Sequence, residues 1–322
     1  MKRILCLVFA LMLTLAACDP AVEVSPSAPV VTPSEAPVSE TPPSETPVPD
    51  VSPTPQIVEF EFTEDNFPKL DGSTANIPLL EAVKSVLLGK PREECSIAVS
   101  GTDNAYQWLA TEASMDLIIA YEMSPQTRKD CGDKFEIASI GRDAIVFLTS
   151  ATNEVDNLTN EQLRGIYSGE ITNWSEVGGK NEEIMAYQRP EKSGSQTMMQ
   201  KLVMGEIEMM DAPKEVFVGE MSGLVEAVAA YSNRGNAIGY NVYYYVTNMK
   251  TDERIKLMDI DGVAPGTETI RSGDYPFVND FFVVIKKSEP EGSPARILFD
   301  WLQSDAGMAL INHEGYVAVR GE

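Results

Sequence analysis

The chain has one histidine, His313, among 322 residues, and four cysteines, no two of them spaced as CxxC. That scarcity leaves no obvious Cys/His zinc set and His313 as the single candidate base for a serine triad, and no GxSxG surrounds any serine. Positive charge is also scarce. Lys and Arg number 25 against 49 Asp and Glu, a formal charge of -24 at pH 7 that repels nucleic acid and anionic surfaces. The glycine pair in "EVGGKNEE" lacks the upstream glycine and the trailing hydroxyl of a P-loop. No run is long enough for a confident membrane helix, since the apolar stretch within residues 1–18 is short and wrongly flanked. The methionines of "MMQKLVMGEIEMM" (Met198, Met199, Met204, Met209, Met210) fall at helical spacing, which suits core filling better than copper. Catalysis, metal chemistry, a cofactor and nucleic-acid binding are therefore not expected.

What is present begins with a leader. "MKRILCLVFALMLTLAAC" sets Lys2 and Arg3 before an apolar stretch and ends in small residues, the build of a secretory signal. Its ending, "LAAC", resembles a bacterial lipobox, which implies cleavage before Cys18, acylation there (a palmitate-type anchor) and an extracytoplasmic place on the cell membrane. Residues 19–57, as in "PVSETPPSETPVPDVSPTP", are mostly Pro, Ser, Thr, Val and Glu with no Lys or Arg. Such a composition cannot bury enough apolar surface to offset ordering entropy, so a stiff, extended tether is expected. Beyond the leader only Cys95 and Cys131 remain. An oxidising exterior permits a disulfide between them, and two separate thiols satisfy the composition as well.

From residue 58 onward the texture alternates. β-rich runs ("CSIAVS", "MDLIIAYE", "EIASIGRDAIVFLTS", "NAIGYNVYYYV", "DFFVVIKK") are separated by amphipathic stretches ("IPLLEAVKSVLLG", "SQTMMQKLVMGEIEMM", "MSGLVEAVAAYS", "SPARILFDWLQSDAGMALI"). That order predicts an α/β fold, and its length suits two lobes. Three strand-to-helix junctions share one chemistry: Gly72, Ser73 and Thr74; then Ser100, Gly101 and Thr102; then Ser193, Gly194 and Ser195, the last preceded by Arg189. Small hydroxyl residues at helix starts are ordinary caps, but such starts also carry unpaired N–H groups and the positive end of the helix dipole. Arginine adds a planar fork matched to oxyanions. Three such turns can converge on one anion.

At these residues the chain resembles the PstS-like phosphate-binding proteins of bacterial ABC importers. The likeness is carried by "RPEKSGSQT", "LTNEQLRGIYSGEITNWSEVGG", "NAIGY" and "GYVAV" and runs from about Leu70 to the C-terminus. It implies a two-lobed, periplasmic-binding-protein-like fold of type II, each lobe a mixed sheet flanked by helices, with the ligand in the cleft between them. Lobe I would take residues 58–140 and 275–322, lobe II residues 141–274, with the first crossing near "ASIGRDAIV", where Arg142 and Asp143 would form either a hinge salt bridge or a plain surface pair. The resemblance places Arg189, Ser193, Gly194 and Ser195 on the anion from lobe II. From lobe I it places Thr102 and one of Ser73, Thr74 or Asn76. It also puts Glu122 at the family's ligand-contacting aspartate, where a carboxylate would accept the proton that phosphate keeps and sulfate lacks. Inorganic phosphate and an ABC permease are the implied partners, with a monomer the default. The rival reading is a sensory or accessory lipoprotein of the same fold that binds another oxyanion or none.

Overall fold

Alternating strand and helix signals resolve, in a computed structural model describing residues 60–111, 115–211, 221–230 and 236–320, into a mixed α/β architecture. The leader, Cys18 and the whole proline-rich segment, residues 1–57, lie outside the described residues. Residues from Glu59 to the C-terminus form one compact unit.

The first half of the chain supplies β1 (Leu70–Gly72), α1 (Ile77–Leu88), α2 (Thr102–Ala110), β2 (Leu117–Ala120), α3 (Pro125–Cys131) and the long β3 (Phe135–Ser150). Next come β4 (Asn157–Leu158), α4 (Asn160–Ser168), β5 (Met185–Ala186), α5 (Gly194–Met198), α6 (Met221–Ala230) and β6 (Ala237–Val242). The chain closes with β7 (Ile255–Leu257), β8 (Asp259–Ile260), α7 (Thr267–Ser272), β9 (Val278–Lys286), α8 (Pro294–Leu302), α9 (Asp305–His313) and β10 (Val317–Ala318).

β3 makes the fold two-lobed. Its first part, Phe135 to Ala144, runs antiparallel to β9, which continues through β2 to β1. Its last part, from Ile145, leaves β9 and pairs instead with β6 and β7, and β6 carries β5. One strand thus belongs to two sheets, and the register slips between Ser139 and Gly141, where a bulge can re-aim the strand. All four residues of β2 and the last eight of β3 are buried, as expected for strands covered on both faces.

Local chemistry sets the ends of the helices. Thr159 caps α4 reciprocally, its hydroxyl accepting from Gln162 N (3.1 Å) while Gln162 Oε1 accepts from Thr159 N (2.8 Å). The apolar run expected as one helix over "SPARILFDWLQSDAGMALI" is two, because Ser304 opens a new helix by accepting from Gly307 N at 3.3 Å. "CSIAVS" forms no strand: the Asp71 carboxylate takes both the backbone N–H and the hydroxyl of Ser100, at 2.7 and 2.5 Å, and holds the segment as a loop.

The expected Arg142–Asp143 pair is not formed. Neighbours on a strand point to opposite faces. Arg142 accordingly faces Asp280 (3.6 Å) and the Arg271 carbonyl (3.0 Å), while Asp143 turns inward. Nor is there a disulfide. Cys95 and Cys131 are both buried free thiols, one following the short 3-10 turn Arg92–Glu94, the other ending α3 with its Sγ directed at the Tyr106 carbonyl.

Candidate functional site

The three hydroxyl-rich turns meet. A cavity of about 500 Å³ is lined by Ser73 and Thr74 from the first, Ser100, Gly101 and Thr102 from the second, and Arg189 with Ser193, Gly194 and Ser195 from the third. Seven of the nine residues expected at the ligand therefore share one wall, and Asn76 and Glu122 do not.

β1 and β2 lie parallel, and the chain turns out of β1 at Gly72, where a side chain would overlap the Ile119 carbonyl, so only glycine permits the approach. Ser73 N then donates to that same carbonyl at 3.1 Å. The Ser73 hydroxyl lies 2.8 Å from Thr102 Oγ1 and accepts from Tyr121 N at 3.1 Å, tying the ends of β1 and β2 to the start of α2. The third turn comes from the other sheet. Ser193 caps α5, its Oγ accepting from Gln196 N at 3.2 Å, and the helix widens into a π-helical turn over Met199–Met204. Arg189 is 5% exposed, and its backbone N–H donates to the Tyr240 hydroxyl at 3.1 Å, which in turn donates to Gln196 Oε1. The backbone of Arg189 is thus tied, through Tyr240, to the helix that Ser193 caps.

The two halves of the fold touch at Gly194. A Cβ there would stand 2.6 Å from Thr102 Oγ1 and within 3.4 Å of Tyr121. Absence of a side chain lets the Arg189 turn reach the Ser73 and Thr102 turns.

Two expected contacts lie elsewhere. Asn76 is fully enclosed at the start of α1, with neither amide atom hydrogen-bonded, and is not on the cavity wall. Glu122 lines a separate groove of about 480 Å³, and its carboxylate is held by Arg128 at 3.0 Å and by Lys201. The reason is geometric. Side chains alternate at the end of β2, so Tyr121 faces the cavity and Glu122 turns towards α3 and the Met199–Met204 turn. The ligand-contacting role implied for Glu122 is corrected accordingly.

The wall also includes groups not singled out from sequence. Lys192 adds a second cation, and Met221 and Ser222 bring the N-terminus of α6 to the cavity. "MSGLV" carries the signal that marked the other three junctions, a hydroxyl and a glycine opening an apolar periodic run. Val99, Tyr121, Pro190, Val242 and Tyr245 complete the surface. No sequence periodicity distinguishes them from core residues.

Behind the wall lies a buried acid. Asp143 Oδ2 accepts from the Tyr121 hydroxyl at 2.7 Å, and Oδ1 accepts from Ala144 N (2.8 Å) and Tyr244 N (3.1 Å). Enclosure pushes its pKa up to about 6, against the lowering effect of those donors, and burial likewise raises the Tyr121 phenol. The cavity as a whole presents donors, two cations and rotatable hydroxyls, which suits a small oxyanion. Among the described residues, no cluster of three or more His, Cys, Asp or Glu is placed to hold a metal, and no helix is long and apolar enough to cross a membrane.

Two lobes sharing a strand, with a cavity lined by hydroxyls, Arg189 and Lys192 between them, define a solute-binding architecture. The chain belongs to the PBP superfamily, whose domain model matches residues 71–311. It is 29% identical over 180 residues to the phosphate-binding protein PstS of Bacillus subtilis, covering 55% of this chain and 56% of that protein. It is 26% identical over 182 residues to PstS of Borreliella burgdorferi, covering 55% and 64%. The match therefore spans little more than half of these relatives' length. In three dimensions it resembles a Clostridium perfringens substrate-binding protein with bound phosphate (TM-score 0.62, 23% identity, 79% of this chain and 100% of that one). It also resembles an ABC-type phosphate transport receptor from Vibrio cholerae (TM-score 0.59, 22% identity, 77% and 98%). At these identities the structural likeness is one of fold.

Proposed function

We propose that this chain captures inorganic phosphate outside the cytoplasm for an ABC importer, by reversible binding without chemistry. The observation that carries this reading is the convergence of Ser73, Thr102 and Arg189 with the Ser193–Ser195 turn on one cavity, from two sheets joined by β3. Phosphate would sit against the Arg189 fork and the N–H groups of the Ser193–Ser195 turn, with the Ser73 and Thr102 hydroxyls opposite. Closure of the two lobes about the crossing near Gly141 would bury it, a hinge motion in which the ligand gains donors from both sides. The division into residues 58–140 with 275–322 and residues 141–274 is part of this proposal. So are the lipid anchor at Cys18, the tether over residues 19–57, the monomeric state and the permease that would receive the closed form. The relatives' names support phosphate as the ligand.

Calorimetric titration tests this. The unmodified protein should bind phosphate. Arg189→Ala should weaken binding by about 2–5 kcal/mol, the usual loss when one partner of a buried charged pair is removed. That corresponds to roughly thirtyfold to several-thousandfold in Kd. Arg189→Lys should restore only part, because a point charge replaces a bidentate fork. Unchanged affinity in Arg189→Ala would remove the proposed site.

A further inference from the structure

The halves of the fold meet along a second seam beside the cavity. The groove of about 480 Å³ there takes Glu122, Met123 and Arg128 from the end of β2 and from α3, and Thr197, Lys201 and Gly205 from α5 and the π-helical turn that continues it. One ion pair spans it. Glu122 Oε1 accepts from Arg128 Nη2 at 3.0 Å, and Oε2 accepts from Lys201 Nζ. The two oxygens are thus divided between the halves. Arg128 stands six residues after Glu122 on the same side of the seam, so it holds the carboxylate by one oxygen and leaves the other turned to Lys201. Lys201 forms no other salt bridge among the described residues.

Both ends of the pair are joined to the cavity wall by short lengths of chain. Glu122 follows Tyr121, a wall residue whose ring packs against Gly194. Lys201 lies six residues beyond Ser195, on the unbroken helical run from Gly194 to Met204 that opens with the Ser193–Ser195 turn. A rigid element carries the movement of its first turn to its last. A guest that draws the Ser193–Ser195 turn towards Thr102 therefore draws Lys201 towards Glu122. We propose that Glu122 and Lys201 form a latch on the closed cleft, made when the halves meet and broken when they part, which strengthens capture without touching the guest. This rests on the reading of the cavity as a phosphate site that closes. A bond present in one of two states shifts the equilibrium by its own strength and no more. Glu122 is 25% exposed in its side chain and Lys201 55%, so water screens the pair and its effect is a few-fold.

The sign of the effect separates a latch from the general field of the protein. Lys201 attracts an anion and Glu122 repels one, so by field alone Lys201→Gln weakens binding and Glu122→Gln strengthens it. A latch makes both changes weaken it. The test is calorimetric titration of inorganic phosphate into the unmodified protein, Lys201→Gln, Glu122→Gln and the double variant. Each single change should raise Kd by about two- to fivefold, and the double variant should be no weaker than either, since the same bond is lost in all three. Lys201→Arg should stay near the unmodified affinity, because it keeps a cation within reach of Oε2. Tighter binding in Glu122→Gln, unchanged affinity in either single variant, or losses that add in the double variant would overturn the latch while leaving phosphate capture intact. Failure of the unmodified protein to bind phosphate would remove the capture reading, and this inference with it.

Discussion

Replacing Gly194 with alanine puts one methyl group into the seam where the two halves of the fold meet. The backbone at Gly194 is not among those with positive φ, so alanine brings no conformational strain, and the effect isolates the steric contact. That methyl would stand 2.6 Å from Thr102 Oγ1, closer than such atoms can approach, with Tyr121 blocking the adjacent space at 3.3 Å. Thr102 cannot simply rotate aside, since threonine is stiff at χ1 and its hydroxyl is engaged with Ser73 at 2.8 Å. Overpacking of this kind costs about 1–3 kcal/mol. For a domain of this size each kcal/mol lowers Tm by roughly 2–4 °C. Thermal unfolding of Gly194→Ala, Thr102→Ala and the double variant measures the contact directly. The two single changes should each destabilise. The double variant should be less destabilised than their sum by about 0.5–3 kcal/mol, because deleting the threonine side chain makes room for the methyl group. Strict additivity, or a neutral Gly194→Ala, would mean that the turns do not touch and that the cavity is more open than described. In calorimetry Gly194→Ala should also weaken phosphate binding even though Arg189 is untouched.

Asp143 makes stability depend on pH in an unusual direction. Its folded pKa of about 6 lies above the unfolded value near 4, so the folded state holds the proton more tightly. The contribution is therefore full below about pH 4 and is lost as pH rises through 6, amounting to about 3 kcal/mol at most. Denaturant titrations from pH 4 to pH 7 should show that slope flattened in Asp143→Asn, and identical slopes in both proteins would refute the assignment. Cys95 and Cys131 should react slowly with a thiol reagent in the native protein and fully after denaturation without reductant. Native mass analysis finding them bridged would contradict the free thiols.

Much of the site was legible because its chemistry is local. A hydroxyl beside a glycine at the start of an apolar periodic stretch marks a helix N-terminus wherever it occurs, and Arg189 stands out as the cation ahead of one such turn. Residues such as Tyr121, Val242 and Tyr245 read as ordinary core, since nothing in a strand's composition states which face opens on a cavity. Ser222 was not singled out, although "MSGLV" carries the same mark as the other three. Glu122 went the other way: its position in the chain matched a ligand contact, but its neighbour Tyr121 took the inward face.

By itself the sequence determined the alternation of strand and helix and the hydroxyl-and-glycine turns, because each follows from the conformational and chemical properties of a few adjacent residues. Only the tertiary structure decided that three turns far apart in the chain share one cavity, that Gly194 is a point of contact between the halves, and that Asp71, Asp103 and Asp143 serve the protein's own donors. Those are outcomes of how β3 crosses between sheets and of which way each side chain alternates at a strand's end. A shift of one residue there exchanges the group that faces the guest for the one that faces away.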